Sequence, residues 1–272
     1  MKTTALLLAG VLGLAASGCG SNDRRAAPAP ATTGARPAPR PKPRPRLVHP
    51  HNRPVPILEY HVIGDSPAGA PFPELYVGRS AFAAQLRWLR AHGYHAVTLR
   101  RVYDYWRHGL ALPPRPVVLS FDDGYRGQYT NAAPLLARLH WPGVLNLAVQ
   151  NVLDRKLTLR QLAAMVRDGW EVDAHTLTHP DLTTLDVAEL RRQVAGSRQW
   201  IRRRLGVPVA FFCYPSGRYD RTVLAAVRAA GFLGATTENQ GAASPRDGMF
   251  TLDRVRVNHS DTLTAFASKL GR

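Results

Sequence analysis

The sequence predicts an α/β fold, a closed or nearly closed (β/α) barrel in one domain, and three observations predict it. Beyond Pro56, short runs rich in β-branched and aromatic residues alternate with amphipathic helical segments. Polar residues with catalytic potential follow the strand-like runs, as in barrels that gather their active sites at the C-terminal strand ends. Finally, 45% of the 272 residues are hydrophobic, enough for one sizeable core and too many for a chain disordered throughout.

The elements follow in order. Met1-Lys2 precedes an apolar run from Ala5 to Ala16, which is too short for a mature membrane span and has the pattern of an export signal. Ala16, Ser17 and Gly18 before Cys19 resemble a bacterial lipobox, although Ala16 stands where Leu is commoner. Residues 1–19 are therefore expected to be a lipoprotein-type signal. Lipid on Cys19 would anchor the exported protein to the outer face of the membrane, and otherwise it is secreted. Residues 20–54 are rich in Pro, Arg and Ala and poor in core formers, which predicts a disordered tether. In polyproline geometry it would reach up to roughly 100 Å. The tether carries eight cations against Asp23 alone, about +7 of the net +17, and residues 55–272 are left moderately basic, so the charge gives only weak support to nucleic-acid binding.

Residues 55–272 form the expected catalytic domain. Strands are predicted at 57–60, 97–99, 117–121, 144–149, 170–174, 209–213, 232–236 and 254–257. Ser80 is the expected cap of a helix stopped by Gly93, and Thr158 and Gly169 bracket another. Asp186 with Glu189 opens a third, stopped by Gly206 and Pro208.

The strand ends carry the chemistry. His175 and His179 are spaced so that one turn or a tight loop aims both imidazoles at one ion. Either Asp122 or Asp123 can complete a set of three ligands with a coordination position left open. The other carboxylate is then free to take a proton from water. Two cysteines exclude a Cys-built zinc site and a disulfide-rich scaffold, and lipid on Cys19 would leave Cys213 alone.

Ser120-Phe-Asp-Asp-Gly-Tyr125 and His175-Thr-Leu-Thr-His179 resemble the first two motifs of the NodB-homology polysaccharide deacetylases, carbohydrate esterase family 4. Phe212-Cys-Tyr-Pro-Ser-Gly217 is similar to the third motif of the branch reading Tyr-Pro-x-Gly, and Leu58-Glu-Tyr-His61 and Leu112-Pro-Pro also resemble that branch. The resemblance covers about residues 55–270. It implies a distorted (β/α) barrel that removes acetyl groups, N-linked or O-linked, from an acetylated glycan. By position, Asp123, His175 and His179 would hold one divalent ion, Zn2+ first, with Co2+, Mn2+ or Ni2+ as alternatives. Asp122 would be the general base, the Tyr214 backbone N–H would face the oxyanion, and His259 or His61 would be the general acid.

Cys213 occupies the place where many members carry an arginine that orients the base, so Arg256 or Arg254 is expected to replace it. Tyr125, Tyr129 and Tyr219 are candidates for stacking on sugar, whereas Trp141, Trp170 and Trp200 are expected to pack in the core. A monomer without a specific nucleic-acid partner is expected. The alternative function is a glycan-binding lipoprotein with impaired turnover.

Overall fold

The structure, a computed structural model, describes residues 51–271. The export signal, Cys19 and the tether up to residue 50 lie outside the described residues.

The chain runs through β1 (Ile57–Tyr60), β2 (Val62–Ile63), β3 (Tyr76–Val77), α1 (Arg79–Ala91), β4 (His95–Ala96) and α2 (Leu99–His108). There follow β5 (Pro116–Asp123), α3 (Ala133–Ala137), β6 (Val144–Leu147), α4 (Val149–Leu153), α5 (Leu159–Arg167) and β7 (Glu171–Ala174). The remainder comprises α6 (Val187–Leu205), β8 (Phe211–Cys213), α7 (Arg221–Ala229), β9 (Gly234–Gln240), β10 (Leu252–Arg256) and α8 (Leu263–Lys269).

The sheet order is β1-β10-β9-β8-β7-β6-β5, all neighbours parallel, and β5 returns to β1 through Ile57↔Val118 to Tyr60↔Phe121. This closes a parallel barrel of seven strands, with β4 appended to the start of β5. The helices cover it on the outside, which is why every residue of β5 is buried and its apolar run is continuous.

Side chains alternate between the helix-facing and interior faces of each strand. Leu58, Tyr60, Leu119 and Phe121 belong to the helix-covered core, where the Phe121 ring lies 5.0 Å from Trp170 and 5.4 Å from Tyr60. Ile57, Val118, Phe211 and Leu252 occupy the other parity and pack with Leu99, Val102 and Trp106 of α2. Two to four residues further along the same strands, that parity becomes polar: Glu59, Ser120, Asp122, Cys213 and Arg254, all buried. One end of the barrel is an apolar plug and the other holds a buried charged layer.

Several boundaries differ from expectation. The predicted strand at 97–99 is the junction into α2, where the Thr98 side chain caps the helix by accepting from the Arg101 N–H, and the pairing residues are His95 and Ala96. Gly78, not Ser80, precedes α1. Ordered contacts begin ahead of residue 55: the His51 ring stacks on Tyr105 at 4.4 Å, and Trp106 Nε1 donates to the Arg53 carbonyl. Thr158 forms the full capping box with Gln161, and Asp186 and Gly206 bound α6 as predicted.

Candidate active site

β5 delivers Asp122 and Asp123 to the polar end of the barrel by different backbone conformations. Asp122 continues the strand opposite Asn146 and is buried in the interior. Asp123 has φ +75° and Gly124 φ +92°, so the chain turns left-handed as it leaves the sheet. The carboxylate of Asp123 lines an open cleft of about 560 Å³ together with His61, Phe72, Tyr125, His175 and His179. A Cβ on Gly124 would come within 2.6 Å of Leu147, so a side chain there is blocked by packing as well as by backbone conformation.

The two histidines converge on Asp123. His175 Nε2 and His179 Nε2 each lie 3.5 Å from Asp123 Oδ1, and the ring centroids are 4.7 Å apart. His175 Nδ1 is 2.8 Å from the Cys213 carbonyl, an acceptor that places the proton on Nδ1 and leaves the Nε2 lone pair facing Asp123. The segment from His175 to His179 is a tight loop containing two left-handed residues, Thr176 at φ +70° and His179 at +60°. α6 holds the loop in place: Gln193 Oε1 accepts the Leu177 and Thr178 N–H groups at 3.0 Å each. Two imidazole nitrogens and one carboxylate oxygen, open on the cleft side, form a donor set that fits a divalent ion such as zinc. The site carries backbone strain, since Asp123, Thr176, His179 and Ser216 are all left-handed non-glycine residues and three of the four line the cleft.

Asp122 is held differently. Its Oδ1 accepts from Asn146 Nδ2 at 2.7 Å and from Arg254 Nη1 at 2.9 Å. Burial pushes its pKa up, but the Arg254 charge, with His61, His175 and the Asn146 hydrogen bond, outweighs that and holds the carboxyl well below the usual carboxylate range. Arg254 also reaches Glu59, Nη2 to Oε2 at 3.2 Å, with both side chains fully buried. Burial drives the Glu59 carboxyl up to about 7 against the pull of Arg254. Cys213 Sγ lies 3.6 Å from Asp122 Oδ2, and burial pushes its thiol well up, so it stays a neutral spacer.

Arg254 therefore occupies the place expected of a base-orienting arginine. Arg256 lies nearer the opening, 2.8 Å from Glu238 and 3.6 Å from Glu59.

Two predicted residues require correction. Tyr214 is fully buried, with its N–H donating to the Thr236 carbonyl at 3.2 Å and its hydroxyl to the Phe250 carbonyl at 3.1 Å. That N–H is occupied by the contact between β8 and β9 and does not face the cleft. His259 is exposed and outside the cleft lining, and its Nδ1 lies 3.1 Å from the Tyr76 carbonyl. The imidazole that does reach the base is His61, whose Nε2 is 3.9 Å from Asp122 Oδ2 and whose Nδ1 is 3.9 Å from Glu59 Oε1. Of the three tyrosines, only Tyr125 lines the cleft, while Tyr219 stacks on Tyr214 at 4.9 Å.

Sequence reasoning missed Glu59, Asn146 and Gln128. Gln128 opens a short π-helix, Gln128–Ala132, and its Nε2 donates to the carbonyls of both His61 (2.8 Å) and Asp122 (2.6 Å), tying the ends of β1 and β5 together. Irregular turns of this type mark functional positions.

Known proteins are similar to this chain in sequence and fold. The polysaccharide deacetylase family profile matches residues 110–235. YxkH of Bacillus subtilis, which carries the same family name, is 29% identical over 216 residues, 79% of this chain and 75% of that protein. The poly-beta-1,6-N-acetyl-D-glucosamine N-deacetylase of Escherichia coli is 40% identical over 95 residues, 35% of this chain but only 14% of that protein. Among solved structures, the Streptococcus pyogenes deacetylase PplD in complex with acetate superposes with a TM-score of 0.75 at 26% identity, covering 81% of this chain and 99% of that one.

Proposed function

The chain belongs to the polysaccharide deacetylase family, and from that premise we propose that it hydrolyses N-acetyl groups on a cell-surface glycan with the help of one divalent metal ion. The observation that carries this reading is the division of labour between adjacent aspartates. Asp123 shares a point in the cleft with two imidazole nitrogens, whereas Asp122 is kept ionised behind it by Arg254 and Asn146. A glycan-binding protein without turnover has no use for a buried carboxylate maintained as a base, which argues against the impaired-binder alternative.

Asp123, His175 and His179 would hold the ion, which supplies Lewis acidity toward the acetyl carbonyl. Asp122 accepts the proton of the attacking water. His61, whose Nε2 lies 3.9 Å from Asp122 Oδ2, is the neighbouring imidazole that would relay that proton to the departing amine. Burial pulls the His61 pKa down against the opposing pull of the Asp122 and Asp123 carboxylates. Phe72, 67% exposed at the cleft edge, offers an aromatic face to a sugar ring.

The E. coli relative's name points to β-1,6-linked N-acetylglucosamine polymer as the first substrate to try. We further propose zinc as the ion and lipid on Cys19 as the attachment to the outer membrane face. The function is tested by acetate release from poly-β-1,6-N-acetylglucosamine, chitin oligomers, peptidoglycan and acetylated xylan, using the full chain. Release from at least one N-acetylated polymer is expected. Release from xylan alone would replace amide with ester hydrolysis, and none from any of them would overturn the proposal.

A further inference from the structure

The outer face of α6 carries a second groove, of about 850 Å³, that shares no lining residue with the catalytic cleft. α6 buries Leu190, Val194 and Ile201 against the barrel. At 3.6 residues per turn, its exposed side then places Arg191, Arg198 and Arg202 along one edge and Arg192 and Arg203 along the other. Ala188, Ala195 and Gln199 lie between them. Steps of seven and four residues set the cations of the first edge about 10 and 6 Å apart along the axis.

These charges are poorly neutralised. Among the described residues, Arg192 alone of the five has a carboxylate partner, Glu189 at 2.6 Å. Arg198 is fixed as one wall, donating from Nε to the Val209 carbonyl and from Nη1 to the Ala230 carbonyl at 3.0 Å each, with its guanidinium over the Phe232 ring. A row of like charges this close repels itself unless an anion lies between them.

We propose that this groove binds a linear phosphodiester polymer with an acyclic polyol backbone. Guanidinium forks match phosphate oxygens and stay charged at any pH the protein meets. The groove is concave between two rows of arginines, which suits a single chain better than the plane of a membrane. Its lining is alanine, glycine, glutamine and arginine, with no aromatic side chain on which a nucleobase or sugar ring could stack. The inner face of the same helix holds the Leu177 and Thr178 N–H groups through Gln193. An occupant would therefore lie about one helix diameter, roughly 10 Å, from the loop carrying His175 and His179, and would retain the enzyme on a phosphate-bearing matrix.

The test measures binding of the full chain to poly(glycerol phosphate), to phosphatidylglycerol–phosphatidylcholine vesicles and to a thymidine oligonucleotide, at equal phosphate concentration and several salt concentrations. Combined Arg191→Gln, Arg202→Gln and Arg203→Gln should weaken poly(glycerol phosphate) binding at least tenfold and lower the slope of log K against log salt by about 2 to 3. The charge-matched set Arg87→Gln, Arg101→Gln and Arg107→Gln, on exposed faces of α1 and α2, should change it less than threefold. Ala195→Glu, which keeps every arginine but sets a carboxylate between the two rows, should weaken binding likewise with an unchanged melting temperature. Equal losses from the two triple sets would overturn the proposal by showing only general charge. Tighter binding of vesicles or oligonucleotide, lost through the same α6 arginines, would overturn it in favour of that partner.

Discussion

Arg254 Nη1 lies 2.9 Å from the Asp122 carboxylate across 132 residues of sequence, and both side chains are buried. Nη2 of the same guanidinium faces Glu59 at 3.2 Å, so one cation spans two carboxylates in the barrel interior. An arginine so placed keeps Asp122 ionised and aimed toward the cleft. Arg254→Lys keeps the charge but cannot span both acids. It should lower kcat by about 10- to 100-fold with KM and metal content retained, measured by steady-state acetate release and elemental analysis. Arg254→Met leaves Asp122 with the Asn146 hydrogen bond and Glu59 with Arg256 at 3.6 Å, and should in addition cost about 3 to 5 kcal/mol of stability.

The adjacent aspartates should separate by readout. Asp122→Asn should keep the ion and lower kcat by about 10² to 10⁴. Asp123→Asn should weaken metal affinity, with partial rescue by excess metal. Measuring both quantities on both variants checks the assignment, and a reversed pattern would exchange the two roles.

Phe72 should affect polymer binding without touching the chemistry. Phe72→Ala should raise KM for a glycan polymer about tenfold and leave kcat for a small acetylated ester unchanged, compared by initial rates on the two substrates.

A pH effect arises within β7, at its third residue. Asp173 is fully buried, its Oδ1 accepting from the Ala210 and Phe211 N–H groups at 3.0 and 2.8 Å. Burial, reinforced by the Glu171 charge, pushes its carboxyl well above the ordinary value. The folded state therefore holds this proton more tightly than the unfolded chain. Its stabilisation is complete at low pH and is lost as pH rises toward the folded-state pKa. Asp173→Asn keeps the acceptor oxygen and removes the ionisation, so its melting temperature relative to wild type should climb between pH 5 and pH 8 by scanning calorimetry.

Cys19→Ala should move the protein from the detergent-extracted membrane fraction to the soluble exported fraction. Unchanged partition in a fractionation blot would contradict lipid anchoring.

The sequence made the barrel and its metal-ligand candidates legible because each has a local signature: apolar runs for buried parallel strands, and Asp122-Asp123-Gly124 and His175-x3-His179 for the rim. The support behind them has none. Glu59 and Asn146 are single polar residues inside apolar runs, and only the pairing of their strands brings them to Arg254 and Asp122. Arg254 and Arg256 share one face of β10 by parity, so depth along the barrel decides between them, and depth depends on the registers between strands. His259 lies three residues beyond β10, where the chain has already left the interior for the carbonyl of Tyr76. The Tyr214 N–H is turned to Thr236 because the contact from β8 to β9 continues one residue past the strand end, which no local signal marks.

The central claim is that one ion held by Asp123, His175 and His179 governs deacetylation, and a zinc titration of the metal-stripped full chain tests it most directly. With acetate release from an N-acetylglucosamine polymer followed throughout, activity should rise from baseline and level off at one equivalent of zinc, while His179→Ala should gain little activity across the same range. Full activity in the stripped chain, or an identical titration in His179→Ala, would contradict it.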